Sequence, residues 1–578
     1  MQNQLDRVLD LIKEEVFSSI DLFFAKDLLK EQPLEVQESA LFLLCYLLAS
    51  ARQGHLCIHM TFEKLVPSPS FLTDDPEIYK EIEKKVIDGA SNLPSSLLKV
   101  VEDDELDGLL KPICRYKNLL YLQKNWILET HFLIHLRKMA KWSLRLPLNQ
   151  VLEINPKLNT LQNKAVSLAL TSPISFISGG PGTGKTFTAS EIVKVFLNSL
   201  TEEQKKTALI KIAAPTGKAA AHLEKKIASH LTDFTQVECG TLHSLLHIKS
   251  KRSFAEKGRA LFADLILVDE ASMLDAKLFL KLLSSLQEGG RLVFMGDKNQ
   301  LPPVESGALF ADLIECAEKI SLPSISLTEC LRVEKKELID FAISIIEGNY
   351  QKVLSSSFVR CFSASSIHQI RELVWGKCQI YFSAAHDDTN QFRVLSCIRK
   401  GPLGVESLNE MVLNRFLEGR QDDEFFSVPI LIRENSEPMG LMNGDVGHLV
   451  AKVSSLKKKR FDSEDKAHFA TRSFSALLLP VFEWGYCLSV HKSQGSEYDF
   501  VIALAPKGSE SFGKEVLYTA VTRAKKEMLL LGEEQSLLSL LSKSSLKVSG
   551  ISQRLGVSEG EKGSTKKGSC SPCVLGSA

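Results

Sequence analysis

Residues 178–187, Ser-Gly-Gly-Pro-Gly-Thr-Gly-Lys-Thr-Phe, constrain this chain more than any other stretch. Gly179, four further residues and then Gly184-Lys185-Thr186 make a complete phosphate-binding loop. It follows a short apolar run at 174–177 and precedes an apolar-periodic stretch that reads as a helix, the context that separates a working loop from a chance match. Gly179, Gly180, Gly182 and Gly184, with Pro181 and Thr183 between them, let successive N–H groups turn inward onto a β-phosphate. The helix N-terminus adds its partial positive charge. Lys185 supplies a charge-assisted contact to the β- and γ-phosphates, and the Thr186 hydroxyl suits Mg²⁺. A nucleoside triphosphate is the expected ligand.

At 578 residues the chain has room for several domains, each with its own core. An apolar content of 44% and a charged content of 24% are ordinary for a soluble globular protein. The formal net charge is zero, so any nucleic-acid surface must be local. The amino terminus lacks the basic start and apolar run of a signal peptide. The apolar run 40–49, between Glu38 and Arg52, is short for a bilayer and reads as a buried helix. The twelve cysteines lack metal-ligand spacing except Cys570 and Cys573 in a Ser/Gly/Lys-rich end. A cytoplasmic protein with reduced thiols, and no membrane partner, is expected.

Residues 1–150 show helical spacing and few strand signals, with Leu5, Val8, Leu9 and Ile12 on one apolar face and Trp126, Ile127, Phe132, Leu133 and Leu136 on another. A helical docking domain is expected there. From 151 to 325, short β-rich runs (209–213, 265–268, 292–295) each end where a polar motif begins, as in a parallel α/β sheet that binds ligands at its strand ends. A second α/β region spans 326–542. Within it, 445–482 reads as a small β insertion with strands at 446–453 and 473–479, joined by a charged loop carrying Lys457, Lys458, Lys459 and Arg460. Residues 543–578 have little to bury and are expected to be disordered.

The motif Leu265-Ile-Leu-Val-Asp269-Glu270 ends an apolar strand in two acids. Asp269 can hold Mg²⁺ through water, and Glu270 can orient or deprotonate an attacking water. A third strand leads into Gly296-Asp-Lys-Asn-Gln300, whose glutamine amide can sense a γ-phosphate by donating and accepting. Arg332 and Arg523 lie in the second α/β region. An arginine that reaches the γ-phosphate can contribute about 10³–10⁵ in rate. Two such residues from the second region would require the lobes to close on the nucleotide.

Taken in order, 179–186, Ala214-Pro-Thr-Gly-Lys-Ala219, Thr241-Leu-His243, Asp269-Glu-Ala-Ser-Met273, 296–300, Val490-His-Lys-Ser-Gln-Gly-Ser-Glu497 and Tyr518-Thr-Ala-Val-Thr-Arg523 resemble the motif series of superfamily 1 helicases. Asn443-Gly-Asp445, Phe392-Arg-Val-Leu and Gly401-Pro-Leu-Gly404 resemble the RecD branch. Gly54-His55-Leu-Cys57 and Trp126-Ile-Leu-Glu129 are similar, more loosely, to the amino-terminal domain of the RecD subunit of exonuclease V.

The resemblance implies an α/β fold of two RecA-like lobes, an amino-terminal helical domain and an SH3-like insertion. It implies an ATP- and Mg²⁺-dependent 5′→3′ DNA helicase acting in double-strand break repair by recombination. Gln162 would recognise adenine, and Gly495 and Glu497 would meet the γ-phosphate and ribose. Thr216, Lys218, His243, Asn443 and His491 would line the single-strand groove, and 249–252 would carry a duplex-splitting pin. Implied partners are single-stranded DNA, duplex DNA ends and RecB-like and RecC-like subunits in a heterotrimer, in the nucleoid-associated cytoplasm. The sequence carries no Asp…Glu-x-Lys nuclease cluster, so cleavage would fall to the RecB-like partner. A stand-alone RecD-like helicase, an assembly subunit with a regulatory ATPase, and an RNA helicase remain open. A conjugative relaxase is disfavoured, because the amino terminus has no tyrosine–histidine nuclease cluster.

Overall fold

A computed structural model describes residues 4–61, 64–73, 75–146, 155–229, 237–248, 260–329, 336–382, 391–436, 438–469 and 472–556. The expectations placed on Arg332, on the basic segment 249–252 and on Cys570 and Cys573 lie outside the described residues.

Six parallel strands form the first lobe, in the order Ser324–Leu327, Ile174–Gly179, Arg291–Gly296, Leu265–Val268, Ile210–Ala214 and Val237–Thr241. The three central strands are buried at every residue, as continuous apolar runs are when helices cover both faces of a sheet. Phe279 stacks on Phe294 with ring centroids 4.4 Å apart, and Phe294 on Phe176 at 5.2 Å. This order sets the phosphate loop, the acid pair and the 296–300 turn at neighbouring strand ends. The sheet takes in Ser324–Leu327, so the lobe continues past 325.

The second lobe has five parallel strands in the order Val359–Phe362, Ala524–Glu533, Tyr498–Ala505, Phe392–Ser396 and Cys487–Ser489. An antiparallel sheet grows out of it, ordered Arg472–Ser475, Lys466–Phe469, Val446–Lys452, Phe425–Ile432 and Phe482–Trp484. It begins at Phe425, ahead of the expected 445, because that strand pairs along seven residues with Val446–Lys452. The strand expected at 473–479 ends at Ser475 and turns into a short 3₁₀ segment, Ala476–Leu478. The basic run is solvent-exposed, as a charged connection would be, but only its second half is loop. Lys457 and Lys458 end a short helix, Val453–Lys458; Lys457 pairs with Asp422 at 2.9 Å, and the Lys459 ammonium lies 5.6 Å from the Trp484 ring centroid.

The amino-terminal region is helical but also holds a sheet, ordered Leu65–Val66, Cys57–Met60, Leu119–Leu122, Ile113–Tyr116 and Leu98–Val100. Its strands are two to four residues long, too short for an alternating pattern to stand out. Helix Leu34–Arg52 is long and apolar enough to cross a membrane, yet every residue from Ala40 to Leu47 is buried, as in a core helix. Helix Gln123–Met139 packs onto helix Ala276–Ser285 of the first lobe, with Phe132 edge-on to Phe279 at 5.3 Å. The two units therefore share one apolar core.

Residues 543–556 are ordered, against the expectation of a disordered tail, and 557–578 lie outside the described residues. Their few apolar groups conceal the cause, which is a set of long-range polar anchors together with Ile551, fully buried in the first-lobe core. At one of them the Val548 N–H donates to His55 Nδ1 at 2.9 Å, and the Leu56 N–H returns a bond to the Val548 carbonyl at 2.8 Å. Burial first, and then the charge of Lys547, lower the His55 pKa from 6.5 to about 3, so this ring stays neutral. As pH falls below 6.5 the unfolded chain takes up a proton that the folded chain refuses, so stability is lost towards about 3. The melting temperature should fall between pH about 7.5 and about 5, and His55→Asn, which keeps an acceptor, should remove part of that fall. Equal losses in wild type and variant, measured by thermal denaturation, would remove His55 from this account.

Candidate nucleotide site and nucleic-acid groove

The phosphate loop closes on itself around its lysine. Gly184 caps helix Lys185–Asn198 with φ +80°, a left-handed conformation that a side chain would strain. The Lys185 ammonium donates to the carbonyls of Gly179 at 2.5 Å and Gly180 at 3.0 Å. Those carbonyls occupy the donor that the chemistry assigns to phosphate oxygens. Thr183 Oγ1 donates to the Gly180 carbonyl at 2.9 Å, bracing the turn. Thr186 is half-buried in the first helical turn, and Pro181 and Gly182 face the cleft.

Gln162 sits beneath this loop. It completes a capping box with Asn159, accepting the Asn159 N–H at 3.1 Å, and donates to the Thr183 carbonyl at 3.2 Å. The side chain is fully buried, and both ends of its amide are engaged within the protein. In this arrangement it supports the loop, with one N–H and one lone pair of the amide still uncommitted.

Asp269 and Glu270 follow strand Leu265–Val268 as expected. Asp269 Oδ1 accepts the Glu270 N–H at 2.8 Å, and Glu270 takes the left-handed conformation φ 52°, ψ 40°. Holding a glutamate there costs about 1–3 kcal/mol, a strain that gathers at functional sites. Burial raises both carboxyl pKa values. The charge of Asp269 pushes Glu270 further up, while Arg523 and Lys185 pull it back. Glu270 Oε2 and Gln300 Oε1 are buried without hydrogen-bond partners, which marks two acceptors held ready for groups that arrive with substrate.

The second lobe completes the site. Arg523 is buried, its guanidinium donating to the carbonyls of Thr519 at 3.2 Å and Ser496 at 3.1 Å and to Thr522 Oγ1 at 3.2 Å. Glu497 lines a small cleft with Pro181, Gly182 and Thr522, between the two lobes. Gly495, at φ +72°, lies so near the first lobe that a Cβ there would come within 3.2 Å of the Ala219 Cβ.

Sequence reasoning assigned no role to the residues that join the lobes. The Tyr518 hydroxyl donates to Asp297 Oδ2 at 2.8 Å, and the same carboxylate oxygen accepts the Gln300 amide at 3.4 Å. The Leu301 N–H donates to Thr519 Oγ1 at 2.9 Å, and the Gln494 amide donates to the Leu301 carbonyl at 3.3 Å. The 297–301 turn that carries Gln300 is thus held from the other lobe at three points. Their only signal in the sequence was the presence of polar side chains inside motifs whose roles seemed already filled.

Of the expected groove residues, Thr216, Lys218 and Asn443 stand together, while His243 and His491 lie on separate elements. Thr216 caps helix Gly217–Ala228, with Lys218 in its first turn and its ammonium 5.8 Å from the Tyr498 ring centroid. A Cβ on Gly217 would come within 2.8 Å of Met442, so the exposed Asn443 stands beside this helix start. His243 is exposed on the short helix Leu242–Leu245. His491 is half-buried, its pKa lowered by burial and then by Lys547, and it lines a cavity of about 830 Å³ with Leu301, Phe512 and Lys547.

The family described as AAA domain matches residues 162–306, and the UvrD-like helicase C-terminal domain matches 485–531. RecBCD enzyme subunit RecD of Mycolicibacterium smegmatis is 30% identical over 68% of this chain and 74% of that protein. The chain belongs to the RecD family. RecBCD enzyme subunit RecD of Buchnera aphidicola (strain APS) is 25% identical over 93% of this chain and 98% of that protein. Among solved structures, a Bacteroides Pif1 helicase in complex with ADP-AlF3 and ssDNA is 15% identical, covering 69% of this chain and 96% of its own, with a TM-score of 0.39. By its family the chain is an ATP-hydrolysing DNA helicase.

Glu270→Gln should lower ATP turnover by about 10²–10⁴, the range of a lost general base. It should also raise the melting temperature of the nucleotide-free chain, because it removes one of two buried like charges. Steady-state hydrolysis and thermal denaturation check the two halves. Normal turnover, or a lower melting temperature, would contradict these roles.

Proposed function

We propose that this chain is the 5′→3′ motor subunit of a heterotrimeric exonuclease V-type complex, with RecB-like and RecC-like partners. It would act on DNA ends in double-strand break repair in the nucleoid-associated cytoplasm. The observation that carries this reading is coverage: the match to the Buchnera RecD subunit takes in 93% of this chain and 98% of that protein. By contrast, the ATP-dependent RecD2 DNA helicase of Deinococcus radiodurans matches over 60% of this chain and 45% of its own length. The amino-terminal region shares a core with the first lobe, as befits a built-in part of the motor.

On substrate binding, Lys185 exchanges its two carbonyl partners for phosphate oxygens, a stronger charge-assisted pairing. Thr186 and Asp269 are the residues that would hold Mg²⁺, whose chemistry there is to neutralise charge building on the phosphate oxygens. Glu270 takes the proton of the attacking water, and its unpartnered Oε2 is the free acceptor for that task. Arg523, and Arg332 with it, stabilise transition-state charge, and Gln300 reports the γ-phosphate to the turn that the second lobe holds. Thr216, Lys218, His243, Asn443 and His491 grip the DNA backbone, which makes binding salt-dependent. Strand cleavage belongs to the RecB-like partner.

Strand displacement on 5′-tailed and 3′-tailed DNA duplexes, by this chain alone and with RecB- and RecC-like subunits, tests the proposal. Unwinding of the 5′-tailed substrate, lost in Lys185→Gln, is expected. Unwinding from 3′ tails, or wild-type DNA-stimulated hydrolysis in Lys185→Gln, would overturn it. Displacement of neither substrate by a chain that supports complex assembly would favour an assembly role.

A further inference from the structure

After helix Glu534–Ser542 the chain leaves the second lobe and crosses to the first, and its described part, up to 556, lies between the first lobe and the amino-terminal domain. Its start is fixed to the second lobe by one buried carboxylate. Ser544 Oγ donates to Glu515 Oε1 at 2.7 Å, and the Ser545 N–H and Oγ donate to Oε2 at 2.7 and 2.9 Å. Glu515 is 2% exposed and lies in the first turn of helix Lys514–Val521, the helix that carries Tyr518 and Thr519. Two residues further on, the Lys547 ammonium donates to the first-lobe carbonyls of Val304 at 2.7 Å and Glu305 at 2.5 Å. These carbonyls follow the Gln300 turn directly in the chain. Only Leu546 separates the two anchors.

Beyond Lys547 the strap enters the amino-terminal domain. The Gly550 N–H donates to Glu129 Oε2 at 2.9 Å. Arg554 reaches Glu129 at 3.3 Å, Asp103 at 2.9 Å and Thr130 at 2.9 Å, with its guanidinium 4.0 Å from the Trp126 ring centroid. Both Arg554 and Glu129 side chains are fully buried. Removing Arg554 would leave the Glu129 carboxylate a buried, uncompensated charge, so this end is the firmest part of the strap.

The short crossing has a mechanical consequence. A chain reaches at most about 3.3–3.6 Å per residue, so the Ser545 and Lys547 α-carbons can stand no more than about 7 Å apart. The lobes cannot separate at this edge beyond that reach unless a buried carboxylate or ammonium gives up its partners. We propose that Glu515 and Lys547 are positioning residues of the motor: they pin the strap to both lobes within two residues, so the ATP cleft opens by rotation about this edge and not by separation. The amino-terminal domain then travels with the first lobe. The proposal rests on the two-lobed ATPase and needs neither the polarity nor the partners.

Inserting about six Gly and Ser residues between Ser545 and Leu546 keeps every anchor and relaxes only the reach. Spin labels carried by unnatural amino acids at the exposed Lys225 and Lys352 report the distance between the lobes in the full chain, without nucleotide and with ADP–aluminium fluoride. In wild type a narrow distribution is expected in both states. The insertion should broaden the nucleotide-free distribution towards longer distances and leave the nucleotide-bound one unchanged. It should also raise the KM for ATP by about three- to tenfold with kcat within about twofold, the signature of lost ground-state organisation. Lys547→Met, which keeps the apolar stem, should produce the same split and serves if the insertion does not fold. Wild-type distances and KM in either folded variant would overturn the proposal. Failure of the motor reading is distinguishable, because wild type itself would then show no DNA-stimulated hydrolysis.

Discussion

The hydroxyl of Tyr518 donating to the buried carboxylate of Asp297, at 2.8 Å across the cleft, is the bond on which the catalytic arrangement depends. Asp297 is 1% exposed and Tyr518 3%, so parting the lobes there would strand a charged acceptor away from water. A hydrogen bond to a charged group contributes about 1.5–3 kcal/mol, and leaving its buried partner unpaired costs more than a neutral bond would. Thr519 and Gln494 hold the two ends of the Leu301 peptide from the same side. The turn bearing Gln300 therefore belongs to the first lobe by sequence and to the second by its hydrogen bonds. A nucleotide that draws Arg523 inward acts on that turn as well. On the proposed mechanism, closure and chemistry would then be one event.

The same edge of the cleft ties the motor to the amino-terminal domain. Pro302 and Pro303 follow Leu301 and lead to the Val304 and Glu305 carbonyls that Lys547 holds. The strap carries that connection to Glu129, while Phe132 and its neighbours complete an apolar core shared with the first lobe. The amino-terminal domain is thus fastened by packing on one side and by buried polar anchors on the other. His491, an expected DNA contact, lines the same cavity as Lys547 beside this junction.

What could be read from the sequence was what short segments determine. The phosphate loop, the acid pair and the strands that present them are contiguous, and their chemistry follows from residue type and local backbone alone. The joining residues were not legible, because Asp297 and Tyr518 lie 221 positions apart and each looks like an ordinary polar member of its own motif. Glu129 and Arg554 are 425 positions apart, and the strap's scarcity of apolar side chains imitates a disordered tail. The amino-terminal sheet stayed hidden because strands of two to four residues carry no usable period. Gln162 shows a further limit: its motif position points to a base, and nothing local announces the capping box and the bond to Thr183 that tie it to the phosphate loop.

A double-mutant cycle between Asp297→Ala and Tyr518→Phe, read as single-turnover ATP hydrolysis with saturating single-stranded DNA, tests the central claim most directly. If the second lobe sets the Gln300 turn through this bond, each substitution slows hydrolysis about tenfold or more, and the double variant is no slower than the slower single one. Multiplicative losses, or Tyr518→Phe at the wild-type rate, would contradict the account.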